Sequence, residues 1–140
     1  MVIIAQKIVL MNRENNTALF LKRTDYKGDG GVWDLPGGRL DEKEDLKRGI
    51  IREVREEVQV QLHSFKPLDL YSNYSGDADF YFILYVGDDF SYLNKEINDI
   101  ILSSEHTDFK WFTSEEIKNL DLKGSVEKLK EEIINYLSTK

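Results

Sequence analysis

The stretch from Gly38 to Val60 reads Gly-Arg-Leu-Asp-Glu-Lys-Glu-Asp-Leu-Lys-Arg-Gly-Ile-Ile-Arg-Glu-Val-Arg-Glu-Glu-Val-Gln-Val. If residues 41–58 form a helix, its aliphatic side chains cover one arc, which consists of Leu46, Ile50, Ile51, Val54 and Val58. Glu57 projects inside that arc, with Glu53 at its edge. A carboxylate directed toward a core is costly unless something pairs with it, and a metal ion is the usual partner for several carboxylates together.

Three glutamates share this side of the helix, because Glu53, Glu56 and Glu57 stand at positions i, i+3 and i+4. Hard oxygen ligands suit Mg²⁺ or Mn²⁺ rather than zinc, and Mg²⁺ retains waters and recruits substrate phosphates. Gly49 costs about 1 kcal/mol relative to alanine in mid-helix, so we expect something to approach the helix closely beside the carboxylates. The Gly37-Gly38 turn before the helix could meet a phosphate or lend a carbonyl to the metal.

An ordinary solvated helix is the alternative interpretation of these residues. Glutamate clusters on helices are commonly solvated, and Arg52 and Glu56 form a usual i,i+4 pair. Asp41 is a plausible N-cap, with Glu44 three residues later in a capping-box arrangement. A small acidic interaction domain with such a helix would gain no stability from Mg²⁺.

Composition restricts the class of protein. The chain has 140 residues, of which 41% are hydrophobic and 32% charged, and this favours one globular domain over residues 1–140. A net charge of −7 argues against a general nucleic-acid-binding surface. The absence of cysteine excludes disulfides and thiolate chemistry. Residues 1–11 resemble a strand rather than a signal peptide, and no apolar run has membrane-spanning length, so we expect a cytoplasmic protein without membrane association.

Hydrophobic periodicity predicts a mixed sheet with helices on both of its faces, an α/β (α+β) fold. Strands are predicted at residues 2–11, 17–22, 33–35, 60–74, 78–86 and 109–112, with a further strand near 97–102. A glycine-bearing loop is predicted at residues 25–31. A short helix capped by Ser114 and a final helix over residues 126–137 complete the prediction.

The spacing of this stretch resembles the Nudix box of the Nudix hydrolases (MutT-like), Gly-x5-Glu-x7-Arg-Glu-U-x-Glu-Glu-x-Gly-U, where U is a bulky aliphatic residue. Eight of its nine specified positions match, and the preceding Trp33-Asp34-Leu35-Pro36-Gly37 is similar to the family's usual approach to the box. Matches at eight positions arise by chance on the order of 10⁻⁸ per starting position. The departure is Gln59, where the family has glycine; it implies a different helix exit or about 1 kcal/mol of strain. The box covers 23 residues, and the strand order around it resembles the family more loosely.

The resemblance implies a Nudix-type α/β/α sandwich and Mg²⁺-dependent hydrolysis of a nucleoside diphosphate linked to another moiety. Carried over by position, the metal ligands are Glu53 and Glu57, with Glu56 sharing the site and Gly38 giving a carbonyl. Arg52 would orient the catalytic glutamates, and Glu44 would hold Arg52 or the loop. The expected partner is a small nucleotide derivative, bound by a monomer or a homodimer.

Two assignments stay open in the sequence. The general base is Glu53 or Glu56 in the helix, or a loop residue, for which Glu105 ranks ahead of Glu96. Arg23 is a candidate for phosphate binding, and Trp33 and Tyr74 for stacking on a base; each has an equally ordinary role, as a surface arginine or a packed aromatic. The alternative function is a catalytically silent module that binds a nucleotide as a sensor or regulator.

Overall fold

The computed structural model describes residues 1–23, 31–74 and 76–139. Its seven strands are β1 (Val2–Asn12), β2 (Thr17–Arg23), β3 (Trp33–Asp34), β4 (Gly37–Arg39), β5 (Val60–Asn73), β6 (Asp79–Tyr92) and β7 (His106–Phe112). Its helices are α1 (Leu46–Val58), α2 (Ser114–Ile117), α3 (Gly124–Lys128) and α4 (Lys130–Ser138). The predicted glycine-bearing loop falls largely at 24–30, outside the described residues.

The strands form one mixed sheet with the order β3-β2-β1-β6-β5, in which β4 also pairs with β1 and β7 with β2. The predicted hairpin of β1 and β2 is confirmed, since Met11 pairs with Ala18 in antiparallel register. Strand β1 runs parallel to β6, and its residues Ala5–Lys7 pair antiparallel with β4. Strand β1 therefore lies next to the short glycine strand that leads into α1.

Helices cover both faces of the sheet, as predicted. One core cluster contains Ile8 and Leu10 of β1 together with the buried side of α1. The other contains Val9 and Met11 together with residues of α2, α3 and α4. Alternate residues of β1 thus pack on opposite faces, as the period of a strand requires. The architecture is the α/β/α sandwich that the resemblance implied.

Helix α1 begins later than predicted. Its N-cap is Asp45, without a side-chain cap bond, so the expected N-cap at Asp41 is wrong. The Asp41 N–H does donate to Glu44 Oε1 at 3.0 Å, but this bond closes a turn before the helix. Leu46 is consequently 43% exposed at the first turn, whereas Ile50, Val54 and Val58 are fully buried as expected.

Other boundaries of strands and helices differ from the predicted ones, because tertiary contacts decided them rather than the local sequence pattern. Strand β6 continues to Tyr92, and residues 97–102 form no strand. This irregular segment instead docks on the end of α1, where the Ile101 N–H donates to the Val58 carbonyl at 3.2 Å. Thr113, not Ser114, is the N-cap of α2, and the predicted final helix is two helices that meet at Leu129. No helix in the described ranges is long and apolar enough to cross a membrane.

Candidate active site

A cavity of about 520 Å³ lies between α1, the β1–β4–β6 region of the sheet and the start of α3, within the size range of small-molecule sites. Its wall has three parts: acidic (Asp34, Glu53, Glu56, Glu57 and Glu105), basic (Lys7, Arg23, Arg39 and Lys123) and apolar (Ala5, Phe80, Phe82 and Val126). The cavity therefore collects the predicted carboxylates of the helix and the predicted loop base Glu105 in one place.

Glu57 is the buried carboxylate that the helical pattern predicted. It is 6% exposed, and its Oε1 accepts a 2.7 Å hydrogen bond from the Gly37 backbone N–H. Burial raises the pKa of Glu57 to about 7, and the nearby Lys7 ammonium opposes that rise only in part. A side chain so placed is not part of a solvated helix face, so the interpretation of α1 as an ordinary solvated helix does not hold at Glu57.

Glu53 lies against the glycine turn. A Cβ at Gly38 would come within 2.8 Å of the Glu53 carboxyl carbon, so only glycine leaves room for that carboxylate. Burial raises the pKa of Glu53, and the neighbouring Arg52 guanidinium works against this rise. Gly38 is thus a cradle for one of the predicted ligands.

Arg52 links the carboxylates of the predicted box. Its Nε donates to Glu44 Oε2 at 2.6 Å and its Nη2 to Glu44 Oε1 at 3.0 Å, a bidentate pair. Its Nη1 contacts Glu53 Oε1 at 3.2 Å and Glu56 Oε2 at 3.2 Å. The bond from Arg52 lowers the pKa of Glu44 to about 2. Glu44 therefore holds Arg52, and Arg52 contacts two of the three glutamates.

Gly49 and Gln59 adapt α1 to its surroundings. A Cβ at Gly49 would meet Leu40 Cδ1 at 2.5 Å and Gln6 Nε2 at 2.9 Å, which confirms the predicted close approach and identifies protein atoms as its cause. Gln59 adopts the left-handed conformation with φ 54° and ψ 50°, and its N–H donates to the Arg55 carbonyl. The helix exit is thus the left-handed one that glycine favours, at a cost of about 1 kcal/mol.

The segment before β7 brings a second acidic group to the cavity. Glu105 is exposed and lines the cavity, between Ser103, whose N–H donates to the Glu57 carbonyl at 3.0 Å, and the buried His106. His106 Nε2 lies 3.9 Å from Glu57 Oε2. Burial lowers the pKa of His106, so its ring is neutral near pH 7 and this contact is not an ion pair.

The predicted substrate contacts separate in space. Arg23 lines the cavity, whereas Trp33 and Tyr74 are absent from its described lining. Trp33 packs edge-on against Phe112 with ring centroids 4.9 Å apart. Tyr74 is 64% exposed and pairs with Tyr81 near the turn between β5 and β6. Trp33 therefore occupies a packed position, and Tyr74 lies on the surface outside the described cavity lining.

A sequence profile of the NUDIX domain matches residues 3–134. The chain belongs to the NUDIX family. Membership indicates a hydrolase of pyrophosphate bonds in nucleotide derivatives, and it agrees with the box identified at Gly38–Val60.

Solved structures of NUDIX proteins share the fold at low identity. The MutT NUDIX hydrolase from Burkholderia pseudomallei matches with a TM-score of 0.75 and 20% identity over 94% of this chain and 98% of that one. The E. coli ORF135 protein matches with a TM-score of 0.82 and 16% identity, over 99% of this chain and 93% of that one. The NUDIX domain of Shewanella oneidensis NrtR, crystallised with ADP ribose, matches with a TM-score of 0.68 and 19% identity, over 98% of this chain and 88% of that one. A comparison with curated proteins found no match.

NUDIX hydrolases generally use divalent metal ions, and the donor chemistry of this cavity fits such an ion. Glu53 and Glu57 are two desolvated carboxylates whose raised pKa values a cation would lower again. Within the described part of the chain, no three acidic or histidine side chains already surround one ion position. An ion here would therefore complete its shell with water and substrate oxygens, which is the habit of Mg²⁺.

Sequence reasoning missed the buried Asp34 and His106 and the partly buried Lys7 in the cavity region. Asp34 is 2% exposed, and its Oδ2 lies 3.1 Å from the Lys7 ammonium nitrogen; His106 is 6% exposed. The one available signal was Lys7 itself, a charge that interrupts the apolar run of β1. Asp34 and His106 belong to other strands, and no local pattern connects them with Lys7.

Proposed function

We propose that this NUDIX protein hydrolyses the phosphoanhydride bond of a nucleoside diphosphate linked to another moiety, with Mg²⁺, or Mn²⁺, as its cofactor. The observation that carries this proposal is the buried Glu57 on a cavity wall shared with Glu53 and Glu56. Three carboxylates at such a wall repel an anionic substrate unless a cation joins them.

Glu53, Glu56 and Glu57 would hold the ion, with backbone oxygen from the Gly38 region. When bound, it would neutralise phosphate charge and polarise the scissile anhydride. Arg52 keeps Glu53 and Glu56 in place through Nη1, while its other nitrogens stay on Glu44. The positions of the carboxylates are thus set before substrate enters, which is what electrostatic preorganisation requires.

The attacking water needs a group to accept its proton. Glu105 suits this role, because it lines the cavity, is exposed and is not among the carboxylates that Arg52 contacts. Glu56 is engaged by Arg52 at 3.2 Å, and Glu53 at 3.2 Å, so both are less suited to accept a proton. We therefore place Glu105 first as general base.

Arg23 would meet a phosphate of the substrate, since it lines the same cavity as the carboxylates. The apolar wall formed by Ala5, Phe82 and Val126 would receive the base or the attached moiety. Stacking by Trp33 and Tyr74 stays a prediction without support from the cavity lining. The ADP ribose bound by the NrtR NUDIX domain supports a nucleotide derivative as ligand class.

A panel of nucleoside triphosphates, ADP-ribose, dinucleoside polyphosphates and nucleotide sugars tests the proposal. We expect release of phosphate, pyrophosphate or a nucleoside monophosphate from at least one compound with millimolar Mg²⁺, and none with EDTA. Glu53→Gln and Glu57→Gln should each suppress turnover at least about 100-fold. Glu131→Gln, an exposed glutamate of α4, is the matched control and should not.

A binding module without turnover is the second candidate, and the same panel separates it. If no compound is hydrolysed but one raises the melting temperature of the protein, the module is correct and the hydrolase is not. The complete set of Glu53, Glu56 and Glu57 on one cavity wall favours the hydrolase, because a metal ion held there would polarise a phosphoanhydride for attack, which a module that only binds does not require.

A further inference from the structure

A buried ion pair lies on the floor of the cavity, outside the Nudix box. Lys7 Nζ donates to Asp34 Oδ2 at 3.1 Å and to the Gly37 carbonyl at 3.2 Å. The Lys7 side chain is 14% exposed and that of Asp34 is 3% exposed. Asp34 is fixed in turn, because its Oδ1 accepts the Leu35 N–H at 2.8 Å. The ammonium is therefore held in one position at the cavity surface.

Among the residues that the structure describes, Asp34 and Gly37 leave Lys7 with one hydrogen-bond donor. An ammonium carries three N–H groups, and Asp34 and Gly37 use two of them. A buried charged donor without an acceptor is costly. Since Lys7 lines the cavity, a ligand there can supply the third acceptor.

The ligand part beside Lys7 would be apolar and flat. Ala5 and Lys7 project from the same side of β1, and Ala5 is in register with Phe82 of β6. Phe80 stands two residues before Phe82 and also lines the cavity, as does Val126 from α3. These side chains form an apolar wall next to one charged donor, which suits a nucleobase that has an acceptor on its edge.

A phosphate fits this donor poorly. Any group that accepts from Lys7 Nζ lies close to the Asp34 carboxylate, which is 3.1 Å from the same nitrogen. The Asp34 carboxylate already balances the charge of Lys7, so an anion there would gain little attraction from the ammonium and would be repelled by Asp34. A neutral carbonyl oxygen meets no such repulsion.

We propose that Lys7, fixed by Asp34 and the Gly37 carbonyl, donates to a keto oxygen of the nucleobase and makes the site selective for 6-oxopurine or 4-oxopyrimidine nucleotides. This rests on the proposed function only in taking a nucleotide as ligand. Lys7 is then a specificity residue, distinct from the carboxylates that would perform hydrolysis.

Binding of matched nucleotides tests the proposal. The probes are bis(methylene) triphosphates, in which neither anhydride can be hydrolysed, of guanosine and 2-aminopurine riboside, and of uridine and 2-pyrimidinone riboside. Their Kd is measured by calorimetry in Mg²⁺. The second member lacks the 6-oxo group in the purine pair and the 4-oxo group in the pyrimidine pair. A hydrogen bond to a charged donor corresponds to about 10- to 100-fold in Kd. We expect wild type to prefer the oxo member by at least about 10-fold in one pair.

Lys7→Met should bring that ratio close to one and leave the Kd of the deoxo member nearly unchanged. The double variant Lys7→Met with Asp34→Asn avoids an unpaired buried carboxylate and should give the same ratio. Lys66→Met, at an exposed lysine of β5, is the control and should keep the wild-type preference.

Equal Kd for the two members of each pair in wild type would overturn the proposal. An equal loss of affinity for both members in the Lys7 variants would also overturn it, because that result indicates a phosphate contact. The proposed hydrolysis is tested separately. If the protein binds the oxo nucleotide selectively but turns over no natural nucleotide, the hydrolase proposal is wrong and Lys7 is still the specificity residue.

Discussion

The Glu57 carboxylate accepts a 2.7 Å hydrogen bond from the Gly37 backbone N–H, which joins helix α1 to the strand that precedes it. This bond holds a buried carboxylate at the cavity wall with its second oxygen, Oε2, 3.9 Å from His106 Nε2. The fold thus keeps at the cavity wall a carboxylate whose charge would be costly in a core.

Glu57→Gln separates the structural and the proposed catalytic roles of this residue. Glutamine can still accept the Gly37 N–H, and it removes a desolvated charge, so metal-free protein should be at least as stable as wild type. Millimolar Mg²⁺ should raise the melting temperature of wild type and of the Glu131→Gln control, but not that of Glu57→Gln. An equal Mg²⁺ shift in all three proteins would show that Glu57 is not a ligand.

The pH dependence of stability should carry the signature of Glu57. Its folded-state pKa of about 7 lies above its ordinary 4.5, so the folded protein binds a proton in that interval that the unfolded chain does not. The contribution of Glu57 is therefore fully present below about pH 4.5 and is lost as pH rises through about 7. Its size is about 3 kcal/mol at most.

Denaturant unfolding of metal-free wild type and Glu57→Gln between pH 4.5 and 8 measures this effect. The difference in unfolding free energy between the two proteins isolates Glu57 from other titrating groups, and wild type should lose stability relative to the variant as pH rises. A difference independent of pH would contradict the raised pKa.

Arg52→Lys should reduce kcat at least about 10-fold while it leaves the fold intact. A lysine has one ammonium and cannot bond both oxygens of Glu44 while it also contacts Glu53 and Glu56. Arg48→Lys is the control on the same helix, because the Arg48 side chain is 84% exposed. Equal kcat in the two variants would show that Arg52 does not position the carboxylates.

Glu105→Gln should lower kcat about 100-fold or more with little change in KM, as expected for loss of a general base. Glu96→Gln, at an exposed glutamate of the preceding segment, should have wild-type kcat. If kcat is unchanged, the base is one of the helix glutamates.

Gln59→Gly should stabilise the protein by up to about 1 kcal/mol, since glycine adopts the left-handed conformation without steric cost. Turnover should stay within several-fold of wild type, because Gln59 is not in the cavity lining. Gln61→Gly, in extended strand β5, should destabilise instead. A complete loss of turnover in Gln59→Gly would show that the glutamine side chain has a function here.

Helix α1 shows how far local pattern could predict the site. The inward direction of Glu57 follows from angular spacing, and the contact of Arg52 with Glu56 follows from i,i+4 proximity, so both were accessible from the chain. The start of the helix was not accessible, because the bond between Asp41 and Glu44 occurs equally in a turn. The apolar side chains of residues 97–102 suit a strand, but the Ile101 N–H donates to the end of α1 and the N–H groups of Ile97 and Asn98 donate to Asn94.

Periodicity and the spacing of the box depend on residues that are neighbours along the chain. They were sufficient to predict the sandwich, the shared side of the helix glutamates and the family. They could not predict the residues on the floor of the cavity. Lys7, Asp34 and His106 come from three different strands, and their pairing depends on where β1 lies relative to β3 and β7. A sequence specifies contacts between near neighbours by geometry alone, whereas contacts between distant segments exist only after the sheet has assembled and water has been excluded from its edge.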